Sequence, residues 1–279
     1  MNRALSILRL FLLLVTPCSG MALAQDAPPG EIQYDILDKR DRPADHFTQG
    51  LFFDGERWLE SSGLYGRSWL AEYTDPGAQP VRRKWLAANR FAEGLAVYGD
   101  QVFLLTYRAG ELQVYDRNTF KLQQTRDYEG EGWGLTSDGR HLIMSNGSDE
   151  LTFRDPKDFR VLRRLKVHGG REKWARLNEL EYAHGLIWAN IWMDPRIVAI
   201  DPQSGRVKGV LDVAQLQMDT LGSRRDVDAV ANGIAWDKAR NGLWVTGKYW
   251  PALYLIRPQG LGFQEGATKE QSATPQQAN

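Results

Sequence analysis

The chain is predicted to be an all-β protein, a five-bladed β-propeller, on three observations. One short unit recurs five times, each recurrence leads into β-rich runs separated by turn residues, and the last recurrence lacks a fourth strand that the N-terminal region can supply. The units begin Gln49-Gly50-Leu51, Glu93-Gly94-Leu95, Trp133-Gly134-Leu135, Glu179-Leu180-Glu181 and Asn232-Gly233-Ile234, at offsets of 44, 40, 46 and 53 residues. Four antiparallel strands in each stretch of about 40–50 residues are the mark of propeller blades.

Taken in order, the first 24 residues stand apart from the repeats. Asn2 and Arg3 precede an apolar run over residues 4–15, and Met21-Ala22-Leu23-Ala24 ends in small residues, the pattern of a signal peptide cleaved after Ala24. The run is shorter than the roughly 20 residues a membrane-spanning helix needs. The expectation is an exported protein, periplasmic or secreted, with no stable membrane insertion once the leader is removed. Cys18, the single cysteine, leaves with it, so the mature chain has neither a disulfide nor a thiol nucleophile. Residues 25–30 read as a linker. Residues 31–37 alternate apolar with polar and read as the strand that joins the last blade, closing the ring and removing the free sheet edges.

Within the repeats, the turn signals Asp54-Gly55, Gly99-Asp100, Asp138-Gly139, His184-Gly185 and Asn241-Gly242 lead into second strands such as 102–106 and 186–191. Third strands read at 69–73, 112–115, 151–154, 197–200 and 253–256, and fourth strands at 81–86, 121–127, 161–167 and 207–213. The polar insert 215–228 reads as a loop with a short helix. The propeller domain is then 31–259, and residues 260–279, rich in Gly, Gln, Ala, Ser and Thr, read as a disordered tail.

Aligning the repeats sets Gln49, Glu93, Trp133, Glu179 and Asn232 at the heads of the innermost strands, around one mouth of the central channel. A second set, Tyr107, Asn146, Trp192 and Lys248, falls near the ends of the second strands on the same rim. Repeats built only for structure would carry similar residues here, yet the heads differ in chemical type. A carboxylate, an amine, amides and aromatics around one cavity make a pocket for a small ligand. Pattern alone leaves structural alternatives open: Glu93 as a carboxylate bonded to a strand-start amide, Lys248 as a surface lysine lying along apolar neighbours, Trp133 and Trp192 as core, Asn178 as a turn cap and Gln49 as a bond between blades. Lys+Arg equals Asp+Glu at 35 each with no basic block, which argues against a nucleic-acid partner. The four histidines lie apart in the sequence, which argues against a histidine metal site. No metal and no cofactor are expected.

Longer strings around these positions resemble the plant and bacterial type of glutaminyl-peptide cyclotransferase, or glutamine cyclotransferase. They include Phe47-Thr48-Gln49-Gly50-Leu51, Phe91-Ala92-Glu93-Gly94-Leu95, Gly132-Trp133-Gly134-Leu135, Arg176-Leu177-Asn178-Glu179, Trp188-Ala189-Asn190-Ile191-Trp192 and Thr246-Gly247-Lys248-Tyr249-Trp250, in order over nearly the whole predicted domain. The resemblance implies a five-bladed propeller enzyme that turns N-terminal glutamine into pyroglutamate and releases ammonia. It implies Glu93 as the essential acid–base residue, and Gln49, Tyr107, Trp133, Asn178, Trp192 and Lys248 as pocket residues. Tyr107 stands where the family can carry tryptophan. Catalytic roles are expected for Glu93, Lys248 and Asn178, with Lys248 or Asn178 stabilising the oxyanion (Lys248 preferred for its charge, Asn178 for positioning), and substrate binding for Gln49, Tyr107, Trp133 and Trp192. The expected partners are peptides or proteins with N-terminal glutamine, and the expected state is a monomer. The rival readings are a non-catalytic peptide-binding propeller and a metal-dependent propeller lactonase or lyase; fold alone does not choose among the three.

Overall fold

A computed structural model describes residues 27–264, apart from residue 225. The predicted signal peptide and most of the predicted tail lie outside the described residues. Five sheets of antiparallel strands succeed one another along the chain. Blade 1 comprises Thr48–Phe53, Trp58–Ser62, Trp69–Tyr73 and Arg82–Trp85. Blade 2 comprises Ala92–Tyr98, Gln101–Thr106, Glu111–Asp116 and Leu122–Asp127, and blade 3 Leu135–Ser137, Leu142–Met144, Glu150–Arg154 and Val161–Lys166. Blade 4 follows with Leu177–Ala183, Leu186–Ile191, Arg196–Ile200 and Val207–Asp212. Blade 5 has Ala231–Asp237, Gly242–Gly247 and Ala252–Pro258 before the N-terminal strand Tyr34–Asp41 completes it.

The first strands of successive blades touch one another in a closed cycle, that of blade 5 meeting that of blade 1. The core repeats this closure. Each of five apolar clusters lies at one blade–blade interface, including the one where Trp244 and Ala235 of blade 5 meet Trp58 and Leu51 of blade 1. Middle strands are therefore covered on both faces. That is why Val102-Phe103-Leu104-Leu105 and Ile197-Val198-Ala199-Ile200 are continuous apolar runs, all fully buried. The outermost strands of blades 1 and 2 are largely exposed and polar.

The closing strand departs from the sequence reading, which set it at 31–37. The structure pairs Tyr34–Asp41 with Ala252–Pro258 instead, from Tyr34↔Pro258 to Asp41↔Ala252. Gly30–Glu31 runs parallel to Val207–Asp212 on the outside of blade 4. Ile32 is the cause: it is buried in the core between blades 4 and 5, packed where Gly209 has no side chain. The domain boundary at 259 also moves. Phe263 is buried, its ring against His184 and Trp188, so the packed domain continues beyond residue 259. The insert forms the helix Ala214–Leu221, anchored by buried Leu216.

A second correction concerns the fourth repeat. Leu51 pairs with Glu60, Leu95 with Leu104, Leu135 with Met144, Leu180 with Ala189, and Ile234 with Val245. These register partners make Leu180 equivalent to Leu51 and Leu95, so the head of blade 4 is Asn178 and not Glu179. Glu179 stands where the other repeats have glycine. Elsewhere that glycine lets neighbouring backbones approach: a Cβ on Gly50 would lie 2.5 Å from the Leu95 amide nitrogen, and one on Gly134 would overlap the Asn178 carbonyl oxygen. The Glu179 carboxylate instead reaches across the channel. Its Oε1 accepts from the Leu51 amide at 3.2 Å and its Oε2 from the Ile234 amide at 2.8 Å, tying blades 1 and 5 together. Burial raises its pKa well above the usual carboxylate range, and nearby Glu181 adds to the rise.

Candidate active site

Four of the five innermost strands break register at the repeat unit, between Thr48 and Gly50, Ala92 and Leu95, Leu177 and Leu180, and Ala231 and Ile234. Such bulges re-aim a side chain and end the pairing locally. Here they turn the head residues out of the sheets. Gln49, Glu93, Trp133 and Asn178 line one cavity of about 210 Å³, together with Tyr107, Trp192 and Lys248 from the second strands' ends. The structure thus brings all seven sequence-predicted residues to one place. Asn146 is not among them: it is exposed, and its Oδ1 accepts from the Ser148 hydroxyl at 2.6 Å. Register makes Gly147 the blade 3 equivalent of Tyr107, Trp192 and Lys248, and a Cβ there would strike the Trp133 ring at 2.6 Å. Gly63 plays that part in blade 1, leaving room for the Phe91 ring. Glycine at two of the five positions is what lets aromatic rings enter the rim.

The walls are aromatic. Trp133 and Trp192 meet edge to face at 5.7 Å, and Phe91 lies 5.7 Å from Tyr107 and 6.0 Å from Phe47. The Trp133 indole donates to Glu131 at 3.0 Å, and Glu131 is held by Arg108 at 2.8 Å, so one wall is pinned from behind. Trp192 is 39% exposed and forms the outer lip.

Four polar side chains, each at least 95% buried, stand within this frame: Gln49, Glu93, Asn178 and Lys248. Among the described residues, the Glu93 carboxylate accepts no hydrogen bond, the Asn178 carboxamide makes none, and the Lys248 ammonium closes no ion pair and stands over the Phe47 ring, 4.6 Å from its centroid. Burial pushes Glu93 well above the usual carboxylate range; Lys248 opposes that rise and Glu131 adds to it. Burial likewise lowers Lys248, against the pull of Glu93 and Asp228. Each group is drawn toward its neutral form and sustained by the other across open space.

Asn232, the fifth head, does not line the cavity but sets one wall. Its Nδ2 donates to the Thr48 carbonyl at 2.8 Å and to Gln49 Oε1 at 3.2 Å. A backbone carbonyl is an acceptor only, so it fixes which end of Asn232 faces it. That in turn fixes Gln49 with its Oε1 toward Asn232 and its Nε2 free to donate into the cavity. The arrangement leaves Asn232 Oδ1 buried with no partner among the described residues.

Sequence reasoning missed Phe47, Phe91 and Asp228. The two phenylalanines each stand two residues before a head, in Phe47-Thr48-Gln49 and Phe91-Ala92-Glu93, a shared offset that points to them. Asp228 belongs to the insert and has no counterpart in the repeats.

The family described as "Glutamine cyclotransferase" matches residues 9–257. The glutaminyl-peptide cyclotransferase of Arabidopsis thaliana is 36% identical over 231 residues, covering 81% of this chain and 72% of the plant protein. The crystal structure of Myxococcus xanthus glutaminyl cyclase superposes with a TM-score of 0.76 at 34% identity, covering 82% of this chain and 98% of that one. The chain belongs to the glutamine cyclotransferase family.

Proposed function

We propose that this enzyme cyclises the N-terminal glutamine of peptides and proteins to pyroglutamate, with Glu93 as the proton carrier. The observation that carries the reading is the set of four deeply buried polar side chains held open to one aromatic-walled cavity, an arrangement costly for stability and suited to binding. Family membership supports the same reaction.

The substrate brings both reactants. Its α-amine nitrogen bonds to its own Cδ, closing a five-membered ring, and the bond from Cδ to the carboxamide nitrogen breaks. Bringing the side chain back upon the amine is a large part of the barrier, and Trp133, Trp192 and Tyr107 restrict it to that shape. Glu93, ionised, takes the proton from the attacking amine and gives it to the departing nitrogen, which leaves as ammonia. A carboxyl raised toward neutrality is matched to both transfers. The donors Lys248, Asn178 and Gln49 Nε2 face the oxygen on which charge develops. The basic-then-apolar leader of residues 1–24 supports action after export.

A coupled ammonia assay on Gln-Ala tests this. The wild type releases ammonia stoichiometrically with pyroglutamyl-alanine, and Glu93→Gln loses about 10³-fold or more in kcat, within or beyond the range of general acid–base effects, at an unchanged melting temperature. Near-normal turnover in that variant would remove Glu93 from the role.

A further inference from the structure

A second groove of about 440 Å³ adjoins the catalytic cavity, lined by the helix Ala214–Leu221, the segment after it and the turn after Trp192. The two are continuous through the chain itself. Trp192 and Asp228 line the cavity, while their covalent neighbours Met193, Val227 and Ala229 line the groove. Lys248 of the cavity donates its amide to the carbonyl of Val230 in the groove at 2.9 Å. Consecutive Cα atoms lie about 3.8 Å apart, so the two spaces share one lip.

Four of the exposed large apolar side chains stand along that lip. Trp192, Met193, Met218 and Val227 are 39%, 45%, 58% and 79% exposed, and Leu221 lies half-buried beside them. A concentration of exposed apolar side chains beside a catalytic opening marks a contact surface. Methionine, unbranched and polarisable, adapts to apolar partners of varied shape. The insert builds one side of the groove with Gln217, Met218 and Leu221, while its Leu216 is buried in the core between blades 4 and 5.

We infer that this groove receives the second and third residues of the peptide whose N-terminal glutamine occupies the cavity, and that it favours apolar side chains there. The inference rests on the cyclisation reading above. The chain after the glutamine must leave through the cavity's mouth, and the groove is the apolar exit that the mouth adjoins.

The test compares kcat/KM for Gln-Leu-Phe-Ala and Gln-Gly-Gly-Ala by the coupled ammonia assay. The apolar peptide is expected to be preferred by about tenfold, the worth of about 1.4 kcal/mol and in scale with partial burial of one or two side chains. Met218→Glu and Met193→Glu are each expected to bring the ratio toward one. A folding defect scales both peptides alike and leaves the ratio intact, so the ratio reports the groove alone. Equal rates for both peptides in the wild type, or a preference that survives both variants, would overturn the groove while leaving cyclisation standing. Absence of ammonia from both peptides would overturn cyclisation itself, and the groove with it.

Discussion

Glu60 and Glu93 are buried glutamates in adjacent blades, and the contrast between their surroundings separates a carboxylate that holds the fold from one that acts. Glu60 lies in the second strand of blade 1, beside the point where the ring closes. Its Oε1 accepts from Thr48 Oγ1 at 2.7 Å and pairs with Arg42 Nη1 at 3.2 Å, and its Oε2 meets His46 Nδ1 at 3.0 Å. Arg42 also donates to the Trp250 carbonyl of blade 5 at 3.1 Å. Burial alone would raise this carboxyl, but Arg42, His46 and Thr48 outweigh it and hold the pKa down at about 2. Glu93 is equally buried and has no such partners, so desolvation wins and its pKa climbs. Saturation makes a buried charge structural, whereas an unsaturated one is ready to exchange protons with whatever enters.

Three substitutions sharpen that contrast. Lys248→Met removes the one positive charge that sustains ionised Glu93, together with an oxyanion donor, and is expected to cost about 10²–10³-fold in kcat. The sign of the pH effect follows from the charges. Lys248 lowers the Glu93 pKa, so its loss raises that pKa further, and the acid limb of kcat/KM against pH moves to higher pH. An unmoved limb would show that the two groups do not sense each other.

Glu60→Gln is expected to leave chemistry alone and weaken the fold. The group is depressed from its ordinary 4.5 to about 2, so its stabilisation is present in full above about pH 4.5 and disappears as pH falls through about 2. That shift corresponds to about 3 kcal/mol at neutral pH, and the variant's unfolding free energy should lose much of its dependence on pH across that acid window. Denaturant unfolding at pH 7 and pH 3 measures both effects. A variant as stable as the wild type at pH 7 would mean that the cluster contributes little.

The smallest effect is expected from Asn232→Ala, about tenfold in kcat with KM little changed, because Gln49 loses the partner that orients its amide. In a Gln49→Ala background the same change should cost nothing further. Additive losses would mark Asn232 as supporting the sheet only.

The repeats were readable because physical constraints leave the same residue types at the same spacing. Glycine recurs where inner strands cross closely, and an apolar residue follows it into the core. Reading failed where one of those constraints was replaced. In blade 4 the glycine is Glu179, whose carboxylate spans the channel, and without glycine as a marker the alignment slipped by one residue. Asn146 takes the place of Gly147 in the sequence alignment because the hairpin between the first two strands is longer in blade 3, where Ser137 pairs with Leu142, than in blade 2, where Tyr98 pairs with Gln101. The pocket residues on repeat positions were legible. Asp228 was not, since the insert obeys no periodicity, and the place of the N-terminal strand depended on where Ile32 could be buried.

That N-terminal strand gives the molecule an assembly order unlike its order in the chain. Blades 2 and 3 are each made from one continuous stretch and can pair their own strands early, whereas the fifth sheet needs Tyr34–Asp41 to find Ala252–Pro258. The entropic penalty of joining such distant partners grows only with the logarithm of their separation, but the search delays the last step of folding. Until it is complete, Ala252–Pro258 presents unpaired backbone groups to any passing strand. Arg42, one residue beyond that strand, joins Glu60 of blade 1 to the Trp250 carbonyl of blade 5, so the saturated cluster spans the seam that this pairing closes.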